Sequence, residues 1–141
     1  MTIQSVSRAE VESVFPGAAE IIADALARDP AEVRLDSRLI ADLGAESIDF
    51  LDIVFRLEQA FGVRIPRGQI LDEARGALSE DEFHRDGVLT DAGITRLREV
   101  LDEVPAATIV RGLRVDDVPF LFTVETFCKA VVRARRAART E

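Results

Sequence analysis

Residues 47–61, SIDFLDIVFRLEQAF, set Ile48, Leu51, Val54 and Phe55 along one side of a helix, with Phe50, Ile53, Leu57 and Phe61 beside them. A stripe that wide predicts an element whose apolar face is turned toward the other helices of a bundle. Gly44 precedes it and Gly62 follows it. Gly44 lets the backbone turn sharply after Leu43, and Gly62 ends the helix. Ser47 therefore falls at or next to the N-cap. The first amides of a helix have no internal partners and the macrodipole adds partial positive charge there, so a phosphodiester on the Ser47 hydroxyl would be held favourably. An ordinary capping serine is the structural alternative at such a position.

The remaining pattern is almost entirely helical. Ser7 and Glu10 form a capping box, and the spacing predicts a short helix to Phe15 that is broken at Pro16-Gly17. A second helix follows over residues 18–28, with Ile21, Ile22, Ala25 and Leu26 on one face and a stop before Pro30. In the connection 31–46, Val33, Leu35, Leu39, Ile40 and Leu43 recur at spacings that pin a loop over a core. Beyond Pro66, residues 71–75 and 79–83 are short helical candidates. Residues 89–101 read as a capped amphipathic helix, with Thr90 as cap, Ile94, Leu97, Val100 and Leu101 as its stripe, and Pro105 closing it. A last helix opens at residues 122–125 and turns Phe127, Ala130, Val131 and Val132 inward.

At 141 residues, with 48% apolar against 31% charged, the chain has room for one domain with a core. It holds no run of eighteen apolar residues, and residues 1–5 do not begin a secretory signal, so the expectation is a cytoplasmic chain without a membrane span. The lone Cys128 sits among apolar positions and is expected as a buried thiol. The single His84 lies in a polar stretch without ligand spacing, so it is expected to be solvated, and no metal is assigned. Residues 1–66 hold 12 acids against 6 bases, residues 67–127 hold 13 against 7, and residues 128–141 hold 1 against 5. An acidic body repels nucleic acid and suits basic protein patches. The basic tail Lys129, Arg133, Arg135, Arg136 and Arg139 is what the macrodipole favours at a helix C-terminus.

The run 35–66, LDSRLIADLGAESIDFLDIVFRLEQAFGVRIP, closely resembles the acyl carrier proteins, whose signature is Asp-Leu-Gly-Ala/Gly-x-Ser-Leu/Ile-Asp, an acidic helix and an Ile-Pro stop. Glu46 stands where the family usually has Asp and keeps the charge; Ile48 replaces the commoner Leu. The resemblance implies an all-α, acyl-carrier-like four-helix bundle, here with an N-terminal helical extension and a helical insertion. It implies a single domain over 1–141: extension 1–17, carrier core 18–66, insertion 67–121, and last helix with basic tail 122–141. Ser47, flanked by Gly44, Glu46 and Ile48, would carry 4'-phosphopantetheine, whose thiol holds an acyl cargo as a thioester. No residue would be catalytic.

The same resemblance makes residues 47–61 a recognition helix. Glu46, Asp49 and Asp52 would dock on partner enzymes, Arg56 interrupts the acidic face, and Glu58 lies at the far end from Ser47. The implied partners are a phosphopantetheinyl transferase and acyl-transferring, ligase or synthase enzymes with basic docking patches, in fatty acid, specialised lipid or polyketide synthesis. Enlarged bacterial members share such an insertion, which would widen the acyl cleft, shield the thioester, add a docking face or simply add packing. Two other readings remain open at this point. A peptidyl or aminoacyl carrier shares the modification, though such carriers tend to have glycine at the position of Glu46. An unmodified interaction module would use the acidic helix alone.

Overall fold

The computed structural model describes residues 6–66, 72 and 75–139, with side chains in the last helix as far as Ala137. The run 71–75 therefore lies mostly outside the described residues, as does the Arg139 side chain. Among the described residues five α-helices can be bounded: α1 (Arg8–Leu26), α2 (Ser47–Phe61), α3 (Glu80–Phe83), α4 (Asp91–Val100) and α5 (Val124–Arg139). Helix α1 packs against both α2 and α5. The bundle is all-α in its load of structure, and one two-stranded hairpin, β1 (His84–Arg85) and β2 (Val88–Leu89), interrupts the insertion.

The capping box at Ser7 and Glu10 forms as expected, but the break at Pro16-Gly17 does not. Helix α1 runs through Pro16 without interruption to a left-handed cap at Ala27. The reason lies in the faces that the two halves bury. Val11 and Val14 before the proline and Ala18, Ala19, Ile22 and Ala23 after it are all buried in one core. Keeping that face continuous outweighs the lost hydrogen bond and steric conflict of an interior proline, about 3 kcal/mol. Gly17 has a use other than breaking the helix. A Cβ there would lie 3.1 Å from the Phe61 ring, so the missing side chain is what admits the end of α2.

The connection between α1 and α2 behaves as a pinned loop. Val33, Leu39, Leu43 and Ala45 are buried, while Leu35 and Ile40 are packed against the core. Its backbone is sewn to the start of α5: Leu39 N–H donates to the Phe122 carbonyl at 3.1 Å, and Val124 and Glu125 N–H donate to the carbonyls of Ser37 and Leu35, each at 3.0 Å. The loop carbonyls thereby satisfy amides at the first turn of α5 that no helical bond could reach. Thr123 and Thr126 complete the junction, with the Thr123 hydroxyl accepting the Thr126 N–H at 3.3 Å.

In the insertion, Thr90 caps α4 by accepting the Gly93 N–H at 3.0 Å, and Ile94, Leu97 and Val100 are buried as the stripe predicts. The helix ends at Val100, ahead of Pro105, which instead leads a 3-10 turn, Ala106–Thr108. The hairpin is an addition to the sequence reading. Asp86 and Gly87 both adopt positive φ, 51° and 82°, which is the two-residue turn that Asp-Gly favours. His84 consequently lies in a strand, half-buried and edge-on to Phe83 at 6.3 Å, and is not the solvated histidine expected.

The basic tail is also corrected. Lys129 is only 6% exposed, and its Nζ sits with the carboxylates of Asp102, Glu103 (2.8 Å) and Glu125 (3.9 Å). Burial works against its charge, yet the hydrogen bonds to Asp102 and Glu103 prevail and raise its pKa. Arg135 lies over the Phe61 ring at 5.0 Å, and Arg136 donates to Glu10 at 2.6 Å. These cations bind the bundle together. The apolar residues of the insertion, the loop and the three long helices form one continuous core.

Candidate functional site

The loop before α2 is a set of nested turns. Arg38 accepts from the amides of Asp42 (3.0 Å) and Leu43 (3.2 Å), Ile40 from Gly44 (3.1 Å), and Leu39 from Ala45 (2.9 Å). Asp42 closes the set from the other side by accepting the Arg38 N–H at 2.8 Å and bonding its guanidinium. Those backbone and side-chain bonds from Arg38 hold the Asp42 carboxyl below its ordinary range. Gly44 has φ 74°, a left-handed backbone that suits glycine. With Leu43 and Ala45 buried, the alternation of the loop leaves Gly44 and Glu46 at the surface and delivers the chain to α2.

Glu46 is the N-cap and Ser47 the first residue of the helix. Asp49 reaches back and accepts the Glu46 N–H at 2.7 Å. Ser47 is exposed, and its hydroxyl has no hydrogen-bond partner among the described residues. The amides of Ser47 and Ile48 likewise make no bond among the described residues. The arrangement fits a phosphodiester: an open hydroxyl at the positive end of a fifteen-residue helix, with unclaimed first-turn amides beside it. An ordinary capping serine would have turned its oxygen onto a nearby amide, and Ser47 does not.

Phe50, one turn along, anchors this end of α2. Its ring is 5.5 Å from Phe127 and 6.1 Å from Phe122. Ile53 and Leu57 are fully buried. The expected stripe is nevertheless split. Ile48, Leu51 and Phe55 are 71%, 49% and 59% exposed, so one row of the stripe faces outward. A helix packed on α1 and α5 from one side can bury only the row that faces them, and the second row is left over.

The carboxylates of α2 have their own partners. Asp52 accepts from Arg56 Nε at 3.1 and 3.2 Å, and Arg56 Nη1 donates to Asp24 of α1 at 2.6 Å. Glu58 accepts the Ile65 N–H at 2.8 Å and so fastens the chain leaving α2. Arg56 is held more firmly protonated by the hydrogen bonds to Asp52 and Asp24. Cys128 is fully buried, and burial pushes its thiol up to about 12. Among the described residues no cluster of three or more potential metal ligands occurs, and no helix is long and apolar enough to cross a membrane.

Residues 18–75 match the family described as the phosphopantetheine attachment site. The chain is 39% identical over 74 residues to the acyl carrier protein AcpXL of Rhizobium meliloti, a match that spans 52% of this chain and 78% of that protein. The chain belongs to the acyl carrier proteins. AcpXL of Brucella melitensis is equally similar, 39% over 74 residues covering 52% of this chain and 80% of its own. An acyl carrier protein of Campylobacter concisus is 41% identical over 54 residues, 38% of this chain and 70% of that one. No solved structure matches the chain. About half of this acyl carrier protein lies outside the match to AcpXL, which marks it as an enlarged member of the family. Its role is to carry acyl groups and not to transform them, and its cofactor is 4'-phosphopantetheine, held covalently on a serine. Family membership implies dealings with a phosphopantetheinyl transferase and with acyl-handling enzymes.

Proposed function

We propose that Ser47 is the serine that bears the 4'-phosphopantetheine arm, with Gly44, Glu46 and Ile48 shaping its approach. The observation that carries this reading is the free, exposed Ser47 hydroxyl at the first position of α2, inside the segment 18–75 that matches the attachment-site family. The transferase delivers the phosphopantetheinyl group from coenzyme A. The serine oxygen forms a new P–O bond, the pyrophosphate linkage of coenzyme A breaks, and adenosine 3',5'-bisphosphate leaves with the serine proton lost to base. The arm's thiol then holds an acyl group as a thioester.

In this reading the docking surface is α2, through Glu46, Asp49, Asp52 and Arg56, toward enzymes of fatty acid, specialised lipid or polyketide synthesis in the cytoplasm. The whole chain acts as one carrier domain. Charge on such a face speeds encounter more than it deepens affinity, which suits a protein that visits several enzymes in turn.

Intact mass after incubation with coenzyme A and a broad-specificity phosphopantetheinyl transferase tests the assignment. One phosphopantetheinyl increment is expected on the native chain and none on Ser47→Ala. An increment that persists on the alanine variant would move the site elsewhere.

A further inference from the structure

The outward face of α2 combines an apolar row with a charge pattern that is mostly engaged internally. Asp49 is committed to the Glu46 amide and Glu58 to the Ile65 amide. Asp52 is held by Arg56, which also reaches across to Asp24 on α1. At 100° per residue, Ile48, Leu51 and Phe55 form a single row, with Asp52 and Arg56 along one flank and Ser47 and Glu58 along the other. Arg56 thus neutralises part of the acidic flank beside the exposed apolar row. Its Nη2 takes part in neither ion pair and has no partner among the described residues.

We propose that Arg56 is the specificity-determining residue of this docking face. Clamped between Asp24 and Asp52, it fits the carrier to enzymes that present an apolar groove to Ile48, Leu51 and Phe55 and a hydrogen-bond acceptor to Arg56, and it disfavours enzymes that grip carriers through clustered lysines and arginines. The proposal rests on Ser47 as the attachment point. A Lys/Arg-rich patch approaching α2 meets a cation at the middle of the helix, where Asp52 is already ion-paired, whereas the amide bonds of Asp49 and Glu58 leave their negative charge in place nearer the two ends. Like charge brought face to face excludes wrong partners, while the apolar row supplies contact area to the right one.

The test is steady-state modification of the full chain by a phosphopantetheinyl transferase whose docking patch is lysine- and arginine-rich. Arg56→Lys, Arg56→Gln and Arg56→Glu are compared with the native chain across a salt series, and each variant's fold is checked by its thermal melt. At low salt Arg56→Glu is expected to raise kcat/KM about tenfold, through KM and not kcat, with the gain lost near 0.5 M salt. Arg56→Gln should fall between, and it serves in place of Arg56→Glu if the latter melts early. Arg56→Lys, which keeps the charge but lacks the fork that spans Asp24 and Asp52, should show a smaller gain than Arg56→Gln. Equal rates for native, lysine and glutamine forms, or a gain that survives high salt, would overturn the role given to Arg56 while leaving Ser47 in place. Failure to modify Ser47 in any form at saturating transferase would overturn both readings together.

Discussion

Lys129 shows how far one side chain can depart from its sequence neighbourhood. It stands among arginines in a short basic run, yet it is buried and shared among Asp102, Glu103 and Glu125. The Glu103 carboxylate is 1% exposed and also takes the Thr126 hydroxyl at 2.6 Å, so removing the ammonium would strand a buried negative charge. Lys129→Met is therefore expected to cost about 3–5 kcal/mol in urea unfolding. The double variant Lys129→Met, Glu103→Met should recover most of that loss, because it removes the buried carboxylate, while Asp102 is solvent-exposed and Glu125 keeps Arg8 at 3.6 Å. Ser47 and Gly44 were legible from the sequence because their roles depend on immediate neighbours: a left-handed turn and a helix start. Lys129 was not, because its two nearest partners, Asp102 and Glu103, lie on a turn more than twenty residues earlier that only the folded insertion brings back.

Elements were legible wherever caps and periodicity agreed. Ser7, Thr90 and the run from Ser47 to Gly62 all begin or end helices as read. Two failures have definite causes. The Asp86-Gly87 turn signal was present, but strands of two residues leave no alternating pattern on either side of it. At Pro16 the local breaking tendency yields to the buried positions on both sides. Since the helix is continuous there, Pro16→Ala should restore the missing backbone bond and raise stability, by up to about 3 kcal/mol, read as a higher melting temperature. A lower one would mean that the proline ring itself contributes packing that the alanine cannot replace. The stripe on α2 illustrates a subtler limit. Periodicity identifies apolar rows but does not say how many of them find a neighbour, and the row Ile48, Leu51 and Phe55 found none.

For the molecule as a whole, the insertion behaves as part of the bundle. Its Ile94, Leu97, Val100, Leu101 and Ile109 belong to the same core as α1 and α5, and it supplies the carboxylates that hold Lys129. Joining residue 66 to residue 119 by excising the intervening chain is accordingly expected to abolish the cooperative thermal transition in circular dichroism. A shortened carrier that still melted sharply would show the carrier half to be self-sufficient. The family and the carrier role were readable from about thirty residues around Ser47, since attachment chemistry is local. How the extra chain joins the core depends on tertiary contacts, which no motif announces. The buried Cys128 carries a practical consequence. With its thiol pushed up to about 12 and shut away from solvent, it is expected to be silent toward maleimides at neutral pH. The unmodified native protein should take up no label until denatured, when it should take up one. The arm-bearing protein should take up one while folded, so native labelling counts prosthetic groups directly, and the cargo thioester can be followed as protection of that single sulfur without removing the cysteine first.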